Sequence, residues 1–269
     1  MQQAEDFRVE SLALAELLEP LDKLWYLKPT LFKAWTINDV LGHLHMFNVA
    51  AQRTLQGGAA FEKFFTPILQ GLGSGQTLLQ TQYPWLQGLS GRALLDAWRE
   101  GALQLADAYA TADPKQRVKW AGPDMTTLSC ITARQMETWA HSQAVFDLLG
   151  VERVETDRVR NIVHLGVRTF GWSFKVRGQP VPANEPYVRL IGPSGALWEW
   201  GAVQSDNSVE GLAVEFARVV TQVRNVADTG LQLSGSVARQ WMQNAQCFAG
   251  PPEQPPAPGA RHRTLGQRT

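Results

Sequence analysis

The sequence predicts a mixed fold: an N-terminal antiparallel four-helix bundle over residues 1–153, a small α+β domain over 154–250, and a disordered tail over 251–269. Three observations carry this. Apolar residues recur at three- and four-residue spacing through long segments of the first half, as on the buried face of an amphipathic helix. After Gly150 the pattern changes to short apolar runs separated by Gly and Pro, the mark of strands and turns. Beyond Gly250 five prolines among 19 residues leave no periodic apolar face to bury.

Taken in order, residues 6–18 place Phe7, Leu12, Leu14, Leu17 and Leu18 at helical spacing, and Pro20 closes the segment. The next start signal is the strongest: Thr36 serves as N-cap, Asp39 stands at the third helical position, and Trp35 is set to pack on Val40, which together make a capping box with a hydrophobic staple. That helix extends to residue 55 and stops at Gly57-Gly58. Helices follow at 60–72, 89–110 and 132–149, the last ended by Gly150. Long helices joined by loops pack as an antiparallel bundle. In the second half, a helix at 157–174 precedes strands at 187–191, 196–200, 208–210 and 231–234, with helices at 212–224 and 236–248.

Composition restricts the function. The formal charge of +0, from 25 Lys+Arg against 25 Asp+Glu, supplies no cationic excess to neutralise phosphates, so nucleic acid is not an expected partner. No apolar run approaches the ~20 residues of a membrane helix, and the first residues lack a signal-peptide pattern, so a cytoplasmic protein with no membrane partner is expected. Cys130 and Cys247 are far apart and read as packing residues.

Among five histidines, His43 lies one turn after Asp39. Glu137 and His141, four residues apart, share one face of the helix at 132–149. A Glu/His pair at this spacing is ordinarily a surface contact; with His43 on a facing helix it becomes a His2Glu set with open coordination positions, the pattern of a catalytic metal site. His45 and His164 read as core or surface residues, and His262 falls in the tail.

Trp35-Thr36-Ile37-Asn38-Asp39-Val40-Leu41-Gly42-His43-Leu44 resembles the Trp-(Ser/Thr)-x-x-Asp-x-x-x-His-Leu motif of the mycothiol-dependent maleylpyruvate isomerase metal-binding domain, within the DinB-like superfamily. Residues 134–141, from Arg134 through Glu137 and Trp139 to His141, resemble that family's Arg-x-x-Glu-x-Trp-x-His motif. The resemblance implies a bundle holding a divalent metal, usually zinc, on His43, Glu137 and His141. Val188-Arg189-Leu190, Gly192-Pro193, Trp198-Glu199-Trp200-Gly201, Val209-Glu210-Gly211 and residues 245–250 resemble the family's second domain, similar to sterol-carrier-protein-like folds. There are two departures. Ala144 stands where relatives often carry an Asp that would orient a ligand. The family's functional C-terminal arginine, counted from Gly211, falls on Val223, so the catalytic role carries over to Arg224 only by a shift of one residue.

The expected function is therefore that of a metal-dependent isomerase or S-transferase that uses a low-molecular-weight thiol such as mycothiol on a small electrophilic substrate. Two alternatives stay open: thiol-independent Lewis-acid isomerisation, hydrolysis or cyclisation, and non-catalytic carriage of an apolar ligand. Trp35, Trp139 and Trp172 are candidates for lining a cleft and receive no role.

Overall fold

The computed structural model describes residues 1–262 and divides into two compact units, Met1–Val145 and Phe146–Thr269. In the first unit the helices are α1 (Gln2–Leu18), α2 (Ile37–Leu55), α3 (Gly58–Gly73), α4 (Leu78–Leu86), α5 (Gly91–Thr111) and α6 (Thr127–Leu149), the last continuing past the boundary. The short strands β1 (Arg117–Val118) and β2 (Met125–Thr126) pair antiparallel just before α6. Helix α5 packs on both α1 and α2, and α2 also packs on α3 and α4. The core between them holds Phe7, Ala51, Leu105, Tyr109, Cys130 and Ile131, with Trp98 fully buried. A second cluster joins Met46, Phe61, Phe65 and Ile68.

The N-cap of α2 forms as the sequence predicts. Asp39 N–H donates to Thr36 Oγ1 at 3.2 Å, and Thr36 N–H donates to Asp39 Oδ2 at 2.8 Å. Helix α6 ends in the expected left-handed glycine: Gly150 has φ 67°, its N–H donates to Asp147 O at 3.2 Å, and Val151 N–H reaches Phe146 O at 3.1 Å.

Several features differ from the sequence reading. Helix α4 is additional, and its start is a second capping box between Thr77 and Gln80. It lies close to α2, where Gln82 Nε2 donates to Asp39 O at 3.1 Å. A Cβ at Gly42 would come within 2.4 Å of that amide nitrogen, so any larger residue there would have to displace the Gln82 side chain. The predicted helix at 157–174 is instead a 3-10 turn (Asp157–Val159), α7 (Arg160–Arg168) and α8 (Phe170–Lys175). At the break, Thr169 Oγ1 donates to Leu165 O at 2.8 Å and Gly166 O at 3.0 Å, back-bonding that bends a helix. The predicted helix at 212–224 stops early: α9 spans Ala213–Val220, and Gln222 turns left-handed at φ 56°.

The second unit carries β3 (Tyr187–Ile191), β4 (Leu197–Trp200), β5 (Ser208–Leu212) and β6 (Gln232–Ser234) in the order β4-β3-β5-β6, with β3 and β5 parallel and the other pairs antiparallel. Helix α9 packs on α7, and α10 (Ser236–Asn244) packs on α8. Their buried contacts include Phe170, Phe216 and Trp241.

The tail over 251–262 is bound to the second unit instead of disordered. Asn225 Nδ2 donates to Pro256 O at 2.8 Å, Gln222 Nε2 and Arg177 donate to Glu253 O, and Arg261 donates to Gln222 O at 2.6 Å. An extended proline-rich chain offers carbonyls with no partner of its own, so side-chain donors hold it without any apolar face. Residues 263–269 of the predicted tail lie outside the described residues.

Candidate metal centre

His43 projects from the second turn of α2, and Glu137 and His141 from consecutive turns of α6. One nitrogen from each imidazole and one carboxylate oxygen all lie within 4.8 Å of one another. His43 Nε2 is 3.3 Å and His141 Nε2 is 3.2 Å from the same atom, Glu137 Oε2. The ring centroids of the two histidines are 4.6 Å apart. The cluster is largely sequestered: the His43 side chain is 8% exposed, His141 12% and Glu137 22%.

Arg134, one turn before Glu137 on α6, ties the two ligand-bearing helices together. Its Nε donates to Asn48 Oδ1 at 3.1 Å, and a second guanidinium nitrogen lies 3.5 Å from Leu44 O, both acceptors on α2. At the start of α2, Asp39 is occupied as a cap and also accepts from Tyr83 Oη at 2.9 Å, which keeps it out of the cluster. Tyr83 and Gln82, which anchor this turn, were not among the predicted site residues; the Thr77/Gln80 capping box was the available signal for the helix that carries them.

Burial first, then the charge of His141, lower the His43 pKa to about 4 against the opposing pull of Glu137. For Glu137, burial favours the neutral acid, but hydrogen bonds from His141 and His43 prevail and hold the carboxyl well below its ordinary range. Because the folded-state His43 pKa lies below that of the unfolded chain, the unfolded chain binds more protons between pH 6.5 and 4. The metal-free protein is therefore expected to lose stability as pH falls through that window, by roughly 3 kcal/mol at full extent. Glu137 adds a loss in the same direction below its unfolded pKa. Urea titrations at pH 7 and pH 4.5 test this: His43→Phe should flatten the difference, and an equal difference in wild type and variant would exclude His43 as its source.

The donor set fits a divalent ion. Around a tetrahedral zinc with ligands at about 2.1 Å, neighbouring donors sit about 3.4 Å apart, close to the two nitrogen–oxygen separations here. Two imidazoles and one carboxylate leave coordination positions open, as catalytic sites do and closed structural sites do not. Among the described residues, His43 Nδ1 is buried with no hydrogen-bond partner.

The other candidates are placed elsewhere. His45 is half-buried against Trp85, ring centroids 5.3 Å apart. His164 accepts from Trp200 Nε1 at 3.3 Å on the surface of the second unit, and His262 is exposed. Arg224, in the second unit, donates to Asp147 Oδ1 at 2.7 Å, while Val223 is buried. The one-residue shift thus separates a core side chain from an ion-paired one, on a stretch that follows α9 and is not helical. Cys130 and Cys247 are buried thiols, and burial pushes that of Cys130 up to about 11.

The family model described as the mycothiol maleylpyruvate isomerase N-terminal domain matches residues 7–146. Uncharacterised proteins from two strains of Mycobacterium tuberculosis are each 36% identical over 247 residues, covering 92% of this chain and 95% of theirs. Crystal structures of the mycothiol-dependent maleylpyruvate isomerase and of a histidine-to-alanine mutant of it share the fold, with TM-scores of 0.52 and 0.51 at 15% and 14% identity. Each alignment covers 81% of this chain and 87% of the solved one. With residues 7–146 matched, a span that includes His43, Glu137 and His141, the chain belongs to the mycothiol maleylpyruvate isomerase N-terminal domain family.

Proposed function

We propose that this protein is a metal-dependent enzyme that uses a small thiol, with mycothiol the first candidate, for isomerisation of or S-transfer to a small electrophilic substrate. The observation that carries the reading is the convergence of His43 and His141 on one oxygen of Glu137. Family membership, and the mycothiol dependence of the structurally similar isomerase, support the choice of thiol.

His43, Glu137 and His141 would hold the ion, for which we propose Zn2+. When bound, such an ion supplies the Lewis acidity that makes a coordinating thiol ionise near neutral pH. The chain's own contribution is to present ligands already in the required protonation state. Glu137 is ionised, and His43 is neutral at any pH well above 4, so neither competes strongly with the metal for protons at neutral pH. Phe32 and Trp35 lie against the two imidazoles and shield them from water. On the second unit, Arg224 is the group we assign to binding a substrate carboxylate, in competition with Asp147.

The test is turnover of electrophilic acceptors by zinc-loaded protein with mycothiol, bacillithiol or glutathione. Thiol-dependent loss of acceptor, strongest with one thiol and absent after chelation, is the expected result. Acceptor loss that needs metal but no thiol would replace this reading with Lewis-acid chemistry.

A further inference from the structure

From the packing around the two imidazoles, we propose that Trp35 is a positioning residue for both histidine ligands, replacing with aromatic contacts the hydrogen bonds that usually orient metal-bound imidazoles. The inference rests on the metal reading above.

A ligating histidine is ordinarily held by a hydrogen bond from its other ring nitrogen to a carboxylate or carbonyl, which fixes the ring's rotation and tautomer. Here the corresponding nitrogen of His43, Nδ1, is buried with no hydrogen-bond partner among the described residues. Three residues beyond His141, where a carboxylate could serve, stands Ala144.

Aromatic rings surround the imidazoles instead. Trp35 lies parallel to His141, with an interplanar angle of 0° and centroids 5.7 Å apart, and it also contacts His43 at 5.4 Å. Phe32 meets His141 edge-on at 5.0 Å and 80°, and meets Trp35 at 5.0 Å. Phe47 contacts His43 with ring centroids 4.8 Å apart. Trp35 is thus shared by both ligands, and at 9% exposure it has little freedom to move.

The backbone that carries these rings is strained. Lys33 and Ala34, consecutive and neither of them glycine, have φ values of 50° and 55°. A non-glycine residue in the left-handed region costs on the order of 1 kcal/mol or more and persists where surrounding structure enforces it. The enforcing contacts are present: Thr30 N–H donates to Trp35 O at 2.8 Å, Trp35 N–H to Phe32 O at 2.8 Å, and Phe32 N–H to Thr30 Oγ1 at 3.2 Å. The tight reversal folds Phe32 back beside Trp35, and Thr36 then starts α2 directly. One short segment therefore sets both the start of the helix bearing His43 and the rings that fix its imidazole and that of His141.

The experiment measures zinc affinity by chelator competition, the visible d–d spectrum of the Co2+-loaded protein, and the melting temperature of the metal-free protein, for wild type, Trp35→Ala, Trp35→Phe and Phe32→Ala. Trp35→Ala is expected to weaken zinc binding about 10–100-fold, the range seen when outer groups orienting a ligand are removed, and to alter the Co2+ bands. Trp35→Phe should restore most of both. Phe32→Ala, which removes a contact to His141 and one to Trp35 but none to His43, should have a smaller effect on each. Wild-type affinity and an unchanged Co2+ spectrum in Trp35→Ala would overturn the proposal. If Trp35→Ala does not fold, Phe32→Ala decides: altered bands support it and unaltered bands overturn it. A wild type that takes up neither ion would remove the metal reading itself and this inference with it, an outcome distinct from loss confined to the variants.

Discussion

Replacing His141 with alanine is expected to lower zinc affinity about a thousandfold. A complete structural zinc site contributes roughly 10–16 kcal/mol of binding free energy, so one protein ligand of three or four is worth about 3–5 kcal/mol. Position makes the loss hard to recover. His141 Nε2 sits 3.2 Å from Glu137 Oε2, and among the described residues His43, Glu137 and His141 are the one group of three or more metal-ligating side chains so close together. His43→Ala should behave alike, because its ring enters the cluster from the facing helix. His45→Ala provides the control: two residues along α2 the side chain points elsewhere, against Trp85, and metal content should be unchanged. Metal analysis of the four purified proteins with chelator competition gives the answer. Equal metal content in wild type, His43→Ala and His141→Ala would refute the assigned ligands.

The second large effect concerns Arg134. Its side chain is almost fully buried, and burial lowers its pKa although the Glu137 charge opposes the shift. Its guanidinium donates to a neutral amide oxygen and lies within reach of a backbone carbonyl, both on α2, with the Phe47 ring centroid 5.8 Å away. Arg134→Ala removes these links and leaves a cavity between the helices that must meet for the cluster to form. A loss of about 3–5 kcal/mol is expected from the emptied volume and the orphaned acceptors. Arg134→Met keeps most of the volume and removes a desolvated charge, so it should cost less than half as much. Both variants should bind zinc more weakly than wild type, since neither can fix the register of α2 against α6. Denaturant titration separates the two effects. A methionine variant as unstable as the alanine one would show that the hydrogen bonds matter more than packing, and wild-type zinc affinity in both would dissociate Arg134 from the site.

Those residues also show where the sequence is informative. The Thr36/Asp39 capping box, Gly150 at the end of α6 and the four-residue Glu137/His141 spacing are local: each is decided by backbone geometry within a turn or two, and each appears in the structure as the sequence predicts. Helix α4 was legible in principle from Thr77 and Gln80, but the surrounding glycines and Pro84 obscured it. The ends of α7 and α9 were not, because Thr169 could face either solvent or the helix backbone and Gln222 carries no mark of its left-handed turn. Nor did composition reveal the tail's anchorage, since the donors that bind it come from Arg177, Gln222 and Asn225, far away in the chain.

By itself, then, the sequence determined the two-part architecture and which three side chains are candidates for holding a metal, because periodicity and residue type record which face of an element is buried and what donors it bears. Only the tertiary structure decided that His43 meets Glu137 across 94 positions of chain, that Arg134 hydrogen-bonds to α2 beside that meeting, and that Trp35 lies against both imidazoles. Contacts between distant segments depend on how helices pack and in what register, and no local pattern of residues encodes that.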